Sequence, residues 1–134
     1  MITGRVLDTS ALLDAATGRT IYFRALVVAA AELGMTLAIP VTAWAEAWAL
    51  APDDALASLS LVRDHPHAVL VAFDDDRARR AGELARQARG RGLPWSLRSA
   101  HVVTVARDRD WPVVTGEPDE LLGLDPGVPL QTLP

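Results

Sequence analysis

The sequence predicts an α/β fold, a three-layer sandwich with a central, mainly parallel sheet and helices on both faces. Three observations carry that prediction. Apolar runs of strand length recur at 6–7, 36–40, 68–73 and 112–115, with helical patterns between them. Three of these runs end in residues that stop a strand or open a helix: Asp8, Pro40 and Asp74. With 134 residues, half of them hydrophobic, the chain is long enough for one core and short for two, so residues 1–134 are read as a single domain.

In order along the chain, Val6 and Leu7 form a short strand, and Asp8, Thr9 and Ser10 cap a helix that starts near Ala11. A longer helix spans 20–33 and stops at Gly34. The second strand, 36–40, closes on its proline, and Thr42 caps a helix running to Leu50. Asp53 and Asp54 open another helix that ends near Asp64. After the strand 68–73, the carboxylates of Asp74, Asp75 and Asp76 lie at the positive end of an Arg-rich helix reaching Arg89, broken by Gly90 and Gly92. A helix over 96–107, the strand 112–115, a short helix over 118–122 and a last edge strand over 128–133 complete the set. In such a sheet the ligand site lies at the carboxyl ends of the strands.

Composition narrows the chemistry. There is no cysteine, which removes disulfides, thiolate metal sites and thiol nucleophiles and leaves hard cations on oxygen ligands as the expected metals. The opening residues, Met1 to Val6, lack the basic segment, apolar stretch and cleavage site of a secretory signal, so a cytoplasmic location is expected. The longest charge-free apolar stretch, 33–45, has 13 residues and contains Pro40, too short to span a bilayer, and no membrane association is expected. The net charge of −4 is unevenly spread: nine of the 13 Arg lie within 77–109, where the only acids are Glu83 and Asp108. This +7 segment reads either as a phosphate-facing surface or as an ordinary solvated helix face.

Strand ends select Asp8, Glu46 and Glu117. Asp8 alone would serve as a helix N-cap. Glu46 is the only charged residue between Glu32 and Asp53, in a helix apolar all round and hence expected to be buried, with Trp44 and Trp48 in the core. A buried carboxylate has to be protonated, paired with an arginine such as Arg24 or Arg63, or bound to metal. His65 and His67, on either side of Pro66, do not make a metal site by themselves. His101, two positions along a helix from Ser99, faces away from it.

VLDTSALLD, PVTAWAEAW and PVVTGEPDELL resemble three motifs of the PIN domains, and in particular of small VapC-type toxin nucleases of bacteria. The resemblance covers almost the whole chain and implies a PIN-like sandwich. It further implies that Asp8, Glu46 and Glu117 are catalytic, that they bind Mg²⁺ or Mn²⁺ with Asp119 as a further nearby carboxylate, and that Thr9, Ser10, Ser99 and Thr115 support them. The third motif departs from the pattern, because Ser99 stands where an Asp is usual and Ser96 one turn earlier is no acid either. Weakened metal binding is therefore expected, and Arg98, if it points inward, competes with the cation. The leading reading is a metal-dependent endoribonuclease whose Arg86, Arg89, Arg91 and Arg98 contact RNA. The alternative is an inactive PIN-like module that binds RNA or protein. The apolar helix over 20–33, together with the resemblance, leads to an expected homodimer or a small antitoxin-like partner.

Overall fold

A computed structural model describes residues 3–134; Met1 and Ile2, read above with the opening residues as lacking a secretory signal, lie outside the described residues. The element order is β1 (Gly4–Leu7), α1 (Thr9–Thr17), α2 (Tyr22–Leu33), β2 (Thr36–Pro40), α3 (Val41–Leu50), a 3₁₀ turn (Asp53–Ala55), α4 (Leu56–Arg63), β3 (Ala68–Val71), α5 (Asp75–Gly90), α6 (Leu97–Arg109), β4 (Val113–Thr115), α7 (Pro118–Leu124) and β5 (Leu130–Thr132). Among the described residues no helix is long and apolar enough to cross a membrane.

All five strands are parallel, in the order β3-β2-β1-β4-β5. The chain steps from β1 outward through β2 to β3, then crosses back to β4 and on to β5. Crossovers between parallel strands are right-handed, so reversing the direction of travel sends the later helices to the opposite face of the sheet. Accordingly α1 packs with α2 and α4, and α5, α6 and α7 pack with one another. The sandwich has its three layers, and the crevice opened by the reversal lies between the carboxyl ends of β1 and β4.

Central β1 is buried through Val6 and Leu7, and α6 is buried along its length from Ser99 to Ala106. Gly4 is required by packing, since a Cβ there would come within 2.5 Å of the Thr36 carbonyl oxygen and 2.6 Å of the Trp111 ring. Gly34 ends α2 with φ 68°, a left-handed conformation that glycine adopts without steric cost.

Two expectations about α3 change. Its N-terminus has no side-chain cap; the Thr42 hydroxyl instead lies 2.8 Å from Nδ1 of His101, which is fully buried and packs at a tilt against the Phe73 ring. Nor is α3 buried all round. Only Ala43 and Ala47 are enclosed, Trp44 packs partly against the core beneath Arg63, and Trp48 is 44% exposed. The helix sits at the sheet's end, touching α1 and α6, so one narrow face is covered.

Candidate active site

Asp8 follows β1 directly and caps α1, its Oδ1 accepting from the Ala11 amide at 2.9 Å and from the Ser10 hydroxyl at 2.7 Å. Ser10 also reaches across the crevice. Its Oγ accepts from the Gly116 amide at 2.8 Å and lies 3.4 Å from Oγ1 of Thr115, which in turn accepts from the Glu117 amide at 2.9 Å. A chain of hydroxyls thus ties the end of β1 to the end of β4 and fixes the loop that carries Glu117. Asp8 is buried, and desolvation raises its carboxyl above the usual value. Hydrogen bonds from Thr115, Ser10 and Ala11 oppose that rise, and the nearby Glu117 charge adds to it. Thr9 turns the other way, its hydroxyl 3.5 Å from the Ala43 carbonyl.

Arg98 enters this crevice from the first turn of α6. Its Nε is 2.5 Å from Glu46 Oε2 and its Nη2 is 3.8 Å from Glu120 Oε2. Glu46 is therefore paired, but with Arg98 rather than Arg24 or Arg63, and it is about one-third exposed instead of buried. The guanidinium divides the crevice. On one side Asp8, Ser99, Glu117, Asp119 and Glu120 line a cavity of about 590 Å³, and on the other Glu46, Thr9, Ser10 and Asp14 line a hollow of about 300 Å³; Arg98 and Glu117 border both.

The sequence reading passed over Glu120. Its Oε2 accepts from the Ser99 hydroxyl at 2.5 Å and from the Ser96 hydroxyl at 2.9 Å, while Ser96 caps α6. Ser99, at the position where an Asp is usual in the third motif, and Ser96 one turn earlier thus hold a carboxylate supplied by α7. The one available signal was spacing: Glu120 lies one helical turn beyond Glu117. Among the described residues no group of three Asp, Glu, His or Cys side chains is placed to hold a metal ion directly.

The basic segment is less basic in three dimensions than along the chain. Asp74, Asp76 and Asp108 pair with Arg77, Arg79 and Arg80, and Asp125 pairs with Arg107. Of the arginines expected to meet RNA, Arg98 points into the crevice and Arg91 donates to the Gly123 carbonyl. Arg86 and Arg89 are exposed and make no ion pair among the described residues.

No family model matches the sequence, and no curated protein matches it. The fold does have solved counterparts. VapBC2 from Rickettsia felis, solved bound to a DNA fragment from its promoter, superposes with a TM-score of 0.75 at 17% identity, covering 97% of this chain and 98% of that one. The chain has a VapC-like PIN fold. VapBC-5 from Mycobacterium tuberculosis matches over 98% of both chains at 22% identity and a TM-score of 0.59. VapC20 from the same organism, described as a toxin that cleaves the sarcin-ricin loop, matches 84% of this chain and 91% of its own at 14% identity and a TM-score of 0.63. Within this PIN fold, the segments that resemble the first and fourth motifs meet at Asp8 and Glu117. The segment that resembles the second faces them across Arg98, and the Ser99 segment approaches through Glu120.

Proposed function

We propose that the chain is a divalent-metal-dependent endoribonuclease of the VapC toxin type, with a metal site weaker than the usual arrangement of acids provides. The observation that supports this most is the pairing of Asp8 with Glu117 at the reversal crevice, both bordering a cavity of about 590 Å³ that also admits Asp119 and Glu120. Mg²⁺ keeps several of its waters and is commonly held through one or two carboxylates, so the absence of a three-acid cage among the described residues is compatible with it. Asp8, whose carboxyl burial raises above its usual value while hydrogen-bond donors ring it, is the group whose charge a cation would stabilise most. Asp8 and Glu117 would hold the ion, with Glu120 and Asp119 in reach through water. The ion would supply an activated water and neutralise charge on the leaving oxygen of a phosphodiester.

The chain's own residues do the rest. The Ser10–Thr115 bridge fixes the two carboxylate loops relative to each other. Arg98, held by Glu46, presents a guanidinium beside the cavity, suited to a phosphate oxygen and at the same time a competitor for the cation's place. Arg86 and Arg89 add positive charge at the surface for RNA phosphates.

The exposed apolar side chains along α2 and at its N-cap, Ile21, Val28 and Leu33 at 79%, 56% and 72%, support a homodimer or a small antitoxin-like partner. A second reading, an RNA-binding or protein-interaction module without catalysis, is favoured by the Arg98–Glu46 pair and by Ser99. Incubating a structured RNA with the protein in Mn²⁺ or in EDTA separates the two. The nuclease reading requires cleavage in Mn²⁺ alone and its loss in Asp8→Asn; RNA that binds intact in both conditions rejects it in favour of the module.

A further inference from the structure

Arg86 and Arg89 border two adjoining hollows of different chemistry. One is lined by Gly82, Ala85, Trp95 and Leu97 together with the two arginines, and encloses about 300 Å³. The other is lined by Arg86, Arg89 and Gly90 alone. An aromatic and aliphatic slot thus shares its guanidinium wall with a purely cationic one, and a nucleotide has the same two halves, a planar base and a phosphate.

Trp95 is 43% exposed in the segment joining α5 to α6, where burial in the core does not account for it. Gly82 is the second sign. It lies in the middle of α5 without a positive φ, and a Cβ there would meet nothing within 4 Å. Glycine inside a helix is destabilising relative to alanine, so neither conformation nor packing requires it here. What Gly82 does is leave the floor of the slot open. Arg86 and Arg89, one turn apart on α5 and without ion pairs among the described residues, keep their charge available.

We propose that Trp95, Arg86, Arg89 and the open floor at Gly82 form a subsite for one unstacked base of single-stranded RNA and its adjoining phosphate. Trp95 stacks on the base and the arginines take the phosphate, a sequence-tolerant mode of holding a single strand. Trp95 stands one residue before Ser96, which holds Glu120 at the crevice. The subsite presupposes RNA as the ligand, though not its cleavage.

A fluorescent uridylate octamer and an abasic ribose-phosphate octamer of equal length, titrated by anisotropy in EDTA, test it. The wild type should bind the uridylate about tenfold more tightly than the abasic strand, and Trp95→Ala should bind both alike. Trp95→Phe should keep most of the preference while losing the fluorescence quench that stacking produces. Gly82→Leu should weaken the uridylate alone without lowering the melting temperature. Arg86→Gln and Arg89→Gln should weaken both strands and each reduce the salt slope by about 0.7. Trp95→Ala that keeps the wild-type preference for bases, or a wild type that shows none, overturns the subsite. A wild type that binds neither strand removes the RNA function and the subsite with it.

Discussion

Asp8 performs two tasks whose demands differ. As the cap of α1 it accepts from the Ala11 amide, and as a buried carboxylate it carries a charge that its surroundings disfavour. A carboxyl raised in the folded state loses stability as pH rises from its unfolded value through its folded one. Asp8→Asn keeps an oxygen for the cap and removes the charge, so it should raise the melting temperature at pH 7 in EDTA, a gain that disappears near pH 4. Calorimetry at the two pH values measures this. His101 works in the reverse sense. Burial pushes its imidazole down to about 4, so its stabilising contribution is complete above pH 6.5 and is lost as pH falls from 6.5 toward 4. Urea unfolding at pH 7 and pH 4.5 should show a stability loss in the wild type that His101→Gln largely abolishes. Of these residues Asp8 was legible in the sequence, since a strand end and a cap coincide there. The Glu46–Arg98 pair was not, because the two belong to α3 and α6 and nothing local relates them.

The elements follow the sequence closely where a cap marks them. Asp8, Gly34, Asp74 and Ser96 fix the ends of α1, α2, α5 and α6 by hydrogen bonds or a left-handed φ, and those ends match the expectation within two residues. Element α3 was misjudged because apolar composition does not reveal how much neighbouring surface is available to cover it; of its residues only Ala43 and Ala47 are buried, although α1 and α6 both pack against it. The first turn of α6 matters most for function. Ser99 Oγ bonds Glu120 in a place where an acid is usual among PIN motifs, so Ser99→Asp sets two carboxylates against each other. In EDTA this variant should melt below the wild type. If the crevice takes metal, Mn²⁺ should raise its melting temperature by more than it raises the wild type's, since a tenfold gain in affinity adds up to about 1.4 kcal/mol at saturation. Equal shifts in the two proteins would place Ser99 outside the metal site.

For the whole molecule, topology rather than any single motif makes the crevice. Reversal of the strand order at β1 and β4 brings residues more than a hundred positions apart to one edge, and the alternation of strands and helices in the sequence was enough to predict where that edge lies. Net charge was a poorer guide, because acids flanking the Arg-rich segment fold back onto it and leave Arg86, Arg89 and a few neighbours to face solvent. The exposed apolar side chains of α2 are the other molecular feature. Light scattering at high micromolar concentration should give about twice the 14.4 kDa chain mass, and Val28→Glu should return the protein to a monomer. The claim on which the functional account turns is that Asp8 and Glu117 hold a divalent cation. Titrating the protein with Mn²⁺ and following the free aqueous ion by electron paramagnetic resonance tests it most directly. The account predicts one ion bound per chain, lost in both Asp8→Asn and Glu117→Gln and bound more tightly in Arg98→Gln; a free-ion signal identical to buffer, or binding unchanged in Asp8→Asn, would contradict it.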